Sequence, residues 1–113
     1  MIDPKAVLVV TTENVPGYRV TAMLGEVSGA TSRSSHGSVS ALSSSLKPIS
    51  RGELTHLTKT YDEARTEALA RLREAAAVRG ANAVVSTRYV VDSISELSIA
   101  TIAYGTAVVL TKG

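Results

Sequence analysis

Three side chains of this sequence could bind a metal ion: His36, Glu53 and His56. Glu53 and His56 are three residues apart, which places them on one face of a helix. An E-x-x-H pair completes a metal site when a second pair faces it, as a symmetric oligomer could provide. The sequence has no cysteine, and soft heavy metals prefer thiolate ligands. A divalent or heavy metal at a subunit junction is therefore one hypothesis, and surface or capping roles for these residues are the favoured alternative.

Nucleophilic catalysis has less support. Ser34, Ser35 and His36 supply hydroxyls and an imidazole, but a triad also needs an acid that orients the base, and none is evident. Residues 25–29 do not form the G-x-S-x-G elbow, and no phosphate-binding or dinucleotide motif occurs. The sequence indicates a protein that is not an enzyme.

Four arginines lie between residues 65 and 79: Arg65, Arg71, Arg73 and Arg79. They could bind an anionic ligand at a subunit junction, but Glu67 and Glu74 are interspersed among them, which is typical of a solvated helix face. The formal net charge is only +2, and the aromatic residues are four tyrosines. Because the basic residues form no continuous stripe with aromatic neighbours, we expect no nucleic-acid partner.

A long amphipathic helix carries most of these charged residues. Apolar residues recur at steps of three and four without a break in phase, at Leu54, Leu57, Tyr61, Ala64, Ala68, Leu72 and Ala75. Ser50 with Glu53 and Thr60 with Glu63 both fit a capping box. The unbroken phase favours the earlier start, with a kink possible near Thr60, and Gly80 is expected to end the helix in a left-handed turn.

Two pairs of strands are expected to flank this helix. Residues 6–12 and 18–27 predict a hairpin around the turn 13–17, with Gly25 as a bulge or a point of close approach. Residues 82–92 and 97–110 predict a second pair joined by 93–96. The Ser-rich segment 28–50 contains a marginal helix through Val39, Leu42 and Leu46. The order is β-β-(α)-α-β-β, an α+β class with a mainly antiparallel sheet, in one domain over 1–113 with 1–5 flexible.

The strands have apolar residues on both faces, whereas a single helix covers only one face. Residues 7–10 are consecutive apolar residues, and the last strand places Ile99 on one face but Ile102 and Tyr104 on the other, before Val108. An exposed apolar face indicates an interaction surface, and a second copy of the chain in closed symmetry is the simplest partner. We therefore predict a homo-oligomer with Ile99, Ile102, Tyr104 and Val108 at its interface. The alternative is a monomer in which the Ser-rich segment covers that face.

The N-terminal residues contain Asp3 and Pro4 before a short apolar run, unlike a secretory leader. No apolar stretch reaches the roughly 18 residues of a membrane span. We expect a cytoplasmic protein that does not insert into a membrane.

Motifs spread over nearly the whole chain are similar to those of the YbjQ-like family, small and largely uncharacterised bacterial and archaeal proteins sometimes labelled heavy-metal-binding. The matching stretches are Thr11-Thr12-Glu13-Asn14 with Pro16-Gly17-Tyr18; Gly25 with Val27 and Gly29; Gly52-Glu53-Leu54; Thr58; Glu63-Ala64-Arg65 with Glu67-Ala68-Leu69; Gly80-Ala81-Asn82-Ala83-Val84-Val85; and Tyr104-Gly105-Thr106-Ala107-Val108.

The resemblance implies an α+β subunit that assembles into a ring, typically a pentamer, and it implies no established activity. The sequence departs from the family pattern in the segment 34–48, where serines replace the usual Arg and Asp. Arg51 takes the first position of a usual Gly-Gly pair, and Leu57 stands where Tyr is common. We therefore expect a non-enzymatic, ring-forming scaffold, with a metal- or anion-binding protein as the alternative.

Overall fold

The computed structural model describes residues 2–34, 51–95 and 98–113, with side chains described for these except 33–34, 51–57, 93–95 and 98. A short 3-10 helix, Pro4–Ala6, precedes strand β1 (Leu8–Val9) and strand β2 (Tyr18–Ser34). Helix α1 (Arg51–Val78) is followed by strands β3 (Ala83–Ser95) and β4 (Ser98–Lys112). The expected flexibility of residues 1–5 stays a prediction.

One helix packs on a four-stranded mixed sheet, so the predicted α+β class is confirmed. The strand order is β1-β3-β4-β2. β4 pairs antiparallel with β3 on one side and with β2 on the other, whereas β1 runs parallel to β3. The predicted pairing of the last two strands is therefore correct.

The predicted hairpin between the first two strands is wrong. β1 and β2 lie at opposite edges of the sheet, because Leu8 pairs with Ala83 while Tyr18 pairs with Lys112. Residues 13–17 do contain a turn, closed by a 3.1 Å bond from the Tyr18 N–H to the Val15 carbonyl, but the turn leads the chain across the end of the sheet. β1 has only two residues, so it could form only a short ladder with β2. β4 instead pairs with β2 along nearly the full length of β2.

β2 extends further than the sequence indicated. Residues 28–34 are strand, although the sequence analysis ended the strand at residue 27 and placed them in the Ser-rich segment. Val27, Gly29 and Thr31 are buried and the residues between them are exposed, which is the two-residue period of a half-buried strand. The helix expected at Val39, Leu42 and Leu46 lies outside the described residues.

Helix α1 confirms the earlier of the two starts that the sequence allowed, since it begins at Arg51 and continues through Thr60. Its C-terminus is the expected left-handed turn, with Gly80 at φ +86°. The Gly80 N–H donates to the Ala77 carbonyl at 2.9 Å and the Ala81 N–H to the Ala76 carbonyl at 3.0 Å. These two hydrogen bonds satisfy carbonyls that have no partner within the helix.

Small residues bring α1 close to the sheet. Ala64, Ala68, Leu72 and Ala76 form the fully buried stripe of the helix. A Cβ atom on Gly29 of β2 would clash with backbone atoms of Ala68 and Leu72. The core of this face is thus made of alanine, valine and one leucine. Because the helix lies close to the sheet, these small residues fill the space between them without Phe or Trp.

A second apolar cluster lies on the opposite face of the sheet, near the start of β3. It consists of Ala83, Val85, Val108 and Leu110, with Val10 and Val15 packed against it. Residues 10–15 therefore cover this part of the second face. No helix in the described part of the chain has the length and apolar character to cross a membrane.

Candidate functional site

Beyond that cluster, no described residue covers the second face of the sheet. Along β4, Thr101, Ala103 and Ala107 are buried, whereas Ile102 and Tyr104 between them are 39% and 37% exposed. Cross-strand neighbours share a face of the sheet. Ile102 pairs with Ala30 on β2 and with Val90 on β3. One row of apolar side chains thus runs across three strands on the side away from α1.

Most exposed apolar side chains of the described residues lie on this face. Ten large apolar residues are exposed, and strand register places seven of them on the side away from α1. One of the seven, Leu8, lies on the edge strand β1 opposite Ala83; the other six lie on β2, β3 and β4. Val20 is opposite Leu110 and Met23 is opposite Val108, so both share the face of the second cluster. We call this surface the open face; its apolar residues are Tyr18, Val20, Met23, Val90, Ile102 and Tyr104. Exposed large apolar side chains that share one face mark a candidate interaction surface.

The four interface residues predicted from the sequence divide into two pairs. Ile102 and Tyr104 lie on the open face, whereas Ile99 and Val108 are only 7% and 1% exposed within the single chain. Ile99 has the parity of the strand positions that face α1, and Val108 is in the cluster covered by residues 10–15. A partner could therefore contact Ile102 and Tyr104 directly, but it could reach the other two only if the chain rearranged.

Val90 is an open-face residue that the sequence analysis missed. The ladder of β3 shifts register between Val85 and Arg88, and Ser86 has a positive φ of 54°. This bulge changes the parity of every later side chain, so simple alternation from residue 82 assigns the following valines to the wrong faces. The alternation of Arg88, Val90 and Asp92 could have assigned Val90 to the open face. It could do so only once the bulge before these residues was located.

The size of the molecular surface is unusual for a compact monomer. The accessible surface is 7007 Å², larger by roughly 1,100 Å² than expected for a monomeric protein of this mass. The radius of gyration is 17.4 Å, against about 13 Å for a compact chain of this length.

The proposed metal ligands are not brought together by the described structure. Glu53 and His56 fall in the first turns of α1, while His36 lies outside the described residues, as does Ser35; Ser34 is the last residue of β2. The part of the chain with described side chains holds no group of three or more His, Asp or Glu that could bind a metal ion. Without cysteine, a thiolate site cannot form. The metal hypothesis for His36, Glu53 and His56 stays a prediction.

The four helix arginines contact the protein itself. Arg71 donates to the Ala30 carbonyl and pairs with Glu67 at 2.7 Å. Arg79 donates to the Leu24 carbonyl at 3.1 Å, and Arg73 donates to the Val7 carbonyl at 3.2 Å. The Arg65 guanidinium lies 6.0 Å from the ring centre of Tyr89, within cation–π range. These contacts link the arginines to the sheet and to the N-terminal segment, while Arg65, Arg71 and Arg79 are exposed. The exposed arginines fit the predicted solvated face, and the shared anion site stays a prediction.

A shallow depression of about 540 Å³ lies between the 3-10 helix and α1. Its lining residues are Asp3, Pro4, Lys5, Ala70, Arg73 and Glu74. Charges of both signs alternate around it, and Arg73 is already bonded to the Val7 carbonyl. The depression therefore presents no convergent set of groups for a ligand of either charge.

The chain matches the YbjQ family model, which carries the description "Putative heavy-metal-binding", over residues 7–111. A UPF0145 protein from Streptomyces griseus is 49% identical over 106 residues, covering 94% of this chain and 87% of the relative. The UPF0145 protein YjfJ from Lactococcus lactis is 41% identical over 107 residues, covering 94% and 96%.

A solved structure shares the fold. It is a protein of unknown function of the DUF74 family from Pediococcus pentosaceus, with a TM-score of 0.60 and 13% sequence identity, and the match covers 93% of this chain and 98% of that chain. At this identity the similarity shows the architecture alone.

Proposed function

Since this chain belongs to the YbjQ family, a family whose description names metal binding but no reaction, we propose that it is a non-enzymatic scaffold that assembles into a homo-oligomeric ring. The open face is the observation that carries this proposal. Its six apolar residues are exposed in the single chain, and a partner that covered them would remove apolar surface from water, at about 25 cal/mol for each Å² buried.

A second copy of the chain is the partner that the surface fits best. The row Ala30–Ile102–Val90 is built from small and β-branched residues, which suits close packing against another regular element. Closed rings follow when each copy uses two different surfaces and the rotation between copies closes. A ring of five is the number that the family resemblance implies.

Lysine substitutions on the open face test the assembly. Native mass spectrometry and light scattering should show a single oligomer for the unchanged protein and mainly monomer for Val90→Lys combined with Ile102→Lys. The charged side chains remain in water in the monomer but would be desolvated in the interface. Circular dichroism should confirm that the variant is folded.

Val78→Lys is the matched control. Val78 is 73% exposed and lies in the last turn of α1, away from the open face. It adds one positive charge to an exposed valine outside the open face and should leave the oligomer intact, whereas Val90→Lys alone should already weaken it. If the unchanged protein is monomeric at micromolar concentration, or if the double variant keeps its size, the proposal is wrong.

Metal binding is the second candidate function, and the family description is the observation that favours it. Glu53 and His56 are three residues apart on a continuous helix, and a neighbouring copy could supply a second pair. Titration of the metal-free protein with Zn²⁺ or Ni²⁺ in a calorimeter should then give saturable binding that His56→Ala abolishes and Glu13→Ala leaves unchanged. Equal binding by both variants would exclude this site.

A further inference from the structure

We infer that neighbouring copies join by a direct strand contact, in which the free edge of β3 lies beside the last part of β2 of the next copy. This inference rests on the proposed assembly and specifies its contact. It follows from the two unlike edges of the sheet.

The first edge is the distal half of β3. β1 pairs with β3 only at Ala83 and Val84, and residues 10–12 extend this cover as far as Thr87 through backbone hydrogen bonds of 2.9–3.1 Å. From Tyr89 to Ser95, no strand among the described residues pairs with this side of β3. Unpaired strand edges of this length are templates for pairing with another chain.

The second edge is the outer side of β2, and the helix covers part of it. Arg79 donates to the Leu24 carbonyl and Arg71 to the Ala30 carbonyl, so two arginines occupy acceptors that an added strand would need. Charged side chains over an edge are a common protection against unwanted pairing. Residues 31–34 lie beyond Arg71, and within the described ranges no strand pairs with their outer side.

The two free segments lie at the same end of the sheet. Ser32 of β2 and Asp92 of β3 both pair with Ala100, which lies between them on β4. Because β2 and β3 both run antiparallel to β4, they run parallel to each other. Copies related by rotation about an axis along the strands would therefore bring β3 of one copy beside β2 of the next, in parallel. With α1 on the outside of the ring, every open face turns toward the axis, so the strand contact and the burial of the open faces belong to one assembly.

The absence of cysteine makes cross-linking a clean test. Adjacent strands lie about 4.8 Å apart, within the Cα separation that a disulfide spans. The single variants Ser32→Cys, Val90→Cys and Asp92→Cys place thiols on exposed open-face positions of the two segments. Ser32→Cys would be unfolded and refolded together with Val90→Cys or Asp92→Cys, oxidised with a glutathione buffer, and analysed on a non-reducing gel.

We expect covalent dimer in at least one mixed sample, at five times or more the yield of Ser32→Cys mixed with the control Val78→Cys. Each variant alone should stay at the control yield, since the contact joins two different edges. The double variant Ser32→Cys with the better β3 partner should give a ladder of products that ends at the ring size.

Three results would overturn the inference. Equal cross-linking by Val90→Cys or Asp92→Cys alone would show a symmetric contact between two β3 edges. No cross-linking in any mixture, with the oligomer still present in the native mass spectrum, would reject the strand contact but keep the proposed assembly. A monomer in the native mass spectrum would reject both.

Discussion

Gly29 determines how closely the helix approaches the sheet. A Cβ atom at this position would meet backbone atoms of Ala68 and Leu72, which cannot move as a flexible side chain can. The same helix face carries alanines at Ala64, Ala68 and Ala76. The small residues of β2 and α1 together allow this close contact. A larger residue on either element would push the helix away from the sheet.

We predict that Gly29→Ala destabilises the protein by about 1–3 kcal/mol, the usual cost of overpacking a well-packed contact. The free energy of unfolding from urea titrations would measure this loss. Ser28→Ala, at the adjacent exposed position of β2, is the control and should change stability by less than about 0.5 kcal/mol. Equal stability of the two variants would contradict the close approach.

Two threonines in one cross-strand row differ in hydrogen bonding. Thr31 and Thr101 are opposite each other and both are buried. The Thr31 hydroxyl donates to Glu67 Oε1 at 2.9 Å, whereas the Thr101 hydroxyl has no hydrogen-bond partner among the described residues. A buried hydroxyl without a partner lowers stability because it has lost its hydrogen bonds to water.

We predict opposite effects for two identical substitutions. Thr101→Val should raise the free energy of unfolding by about 1 kcal/mol, because it removes an unpaired hydroxyl. Thr31→Val should lower it by about 1 kcal/mol, because Glu67 then loses a hydrogen-bond donor. Paired urea titrations would measure both. Destabilisation of similar size in both variants would mean that Thr101 does have a partner.

At the scale of elements, the arginines of α1 each hold a different segment. Arg71 contacts β2 at Ala30, while Arg73, on another face of the helix, contacts the Val7 carbonyl just before β1. The sequence placed these residues on one helix but could not show that their guanidinium groups reach backbone carbonyls. Their targets are set by the position of the helix across the sheet.

We predict that the two arginines control local opening separately. Arg71→Ala should increase amide hydrogen exchange in β2 near residues 29–33 several-fold, because it removes the cover from that edge. Arg73→Ala should increase exchange at residues 7–9 and leave β2 unchanged. Exchange measured by mass spectrometry on proteolytic fragments would resolve the two regions. The same exchange pattern in both variants would contradict separate roles.

At the scale of the whole molecule, the open face connects the stability of the fold to the assembly of copies. If copies bury the open face, association stabilises the folded state, and stability depends on concentration by mass action. A monomer has no such dependence.

We therefore predict that Tm rises by several degrees between 1 and 100 µM protein for the unchanged chain. Val90→Lys combined with Ile102→Lys should show a Tm that is independent of concentration, and Val78→Lys should behave like the unchanged chain. Scanning calorimetry at several concentrations would measure this. A constant Tm for the unchanged chain, together with a monomeric mass, would reject the assembly.

The sequence alone determined the elements whose signals are local. The helix from Arg51 to Val78, its glycine end at Gly80 and the β3–β4 hairpin follow from periodicity and turn chemistry between residues close in the chain. The α+β class follows from the order of these elements. The presence of a second apolar face also followed from the strand pattern, with Ile102 and Tyr104 as exposed members of it.

The tertiary structure decided which strands pair and which side chains share a face. β1 and β2 are neighbours in the chain but lie at opposite edges, because strand pairing depends on competition among distant segments. The bulge at Ser86 reverses the faces of the residues after it, and no local signal located it. Val108 is apolar like Ile102, yet residues 10–15 cover one and leave the other exposed. Burial is a property of the assembled chain, whereas periodicity is already present in the sequence.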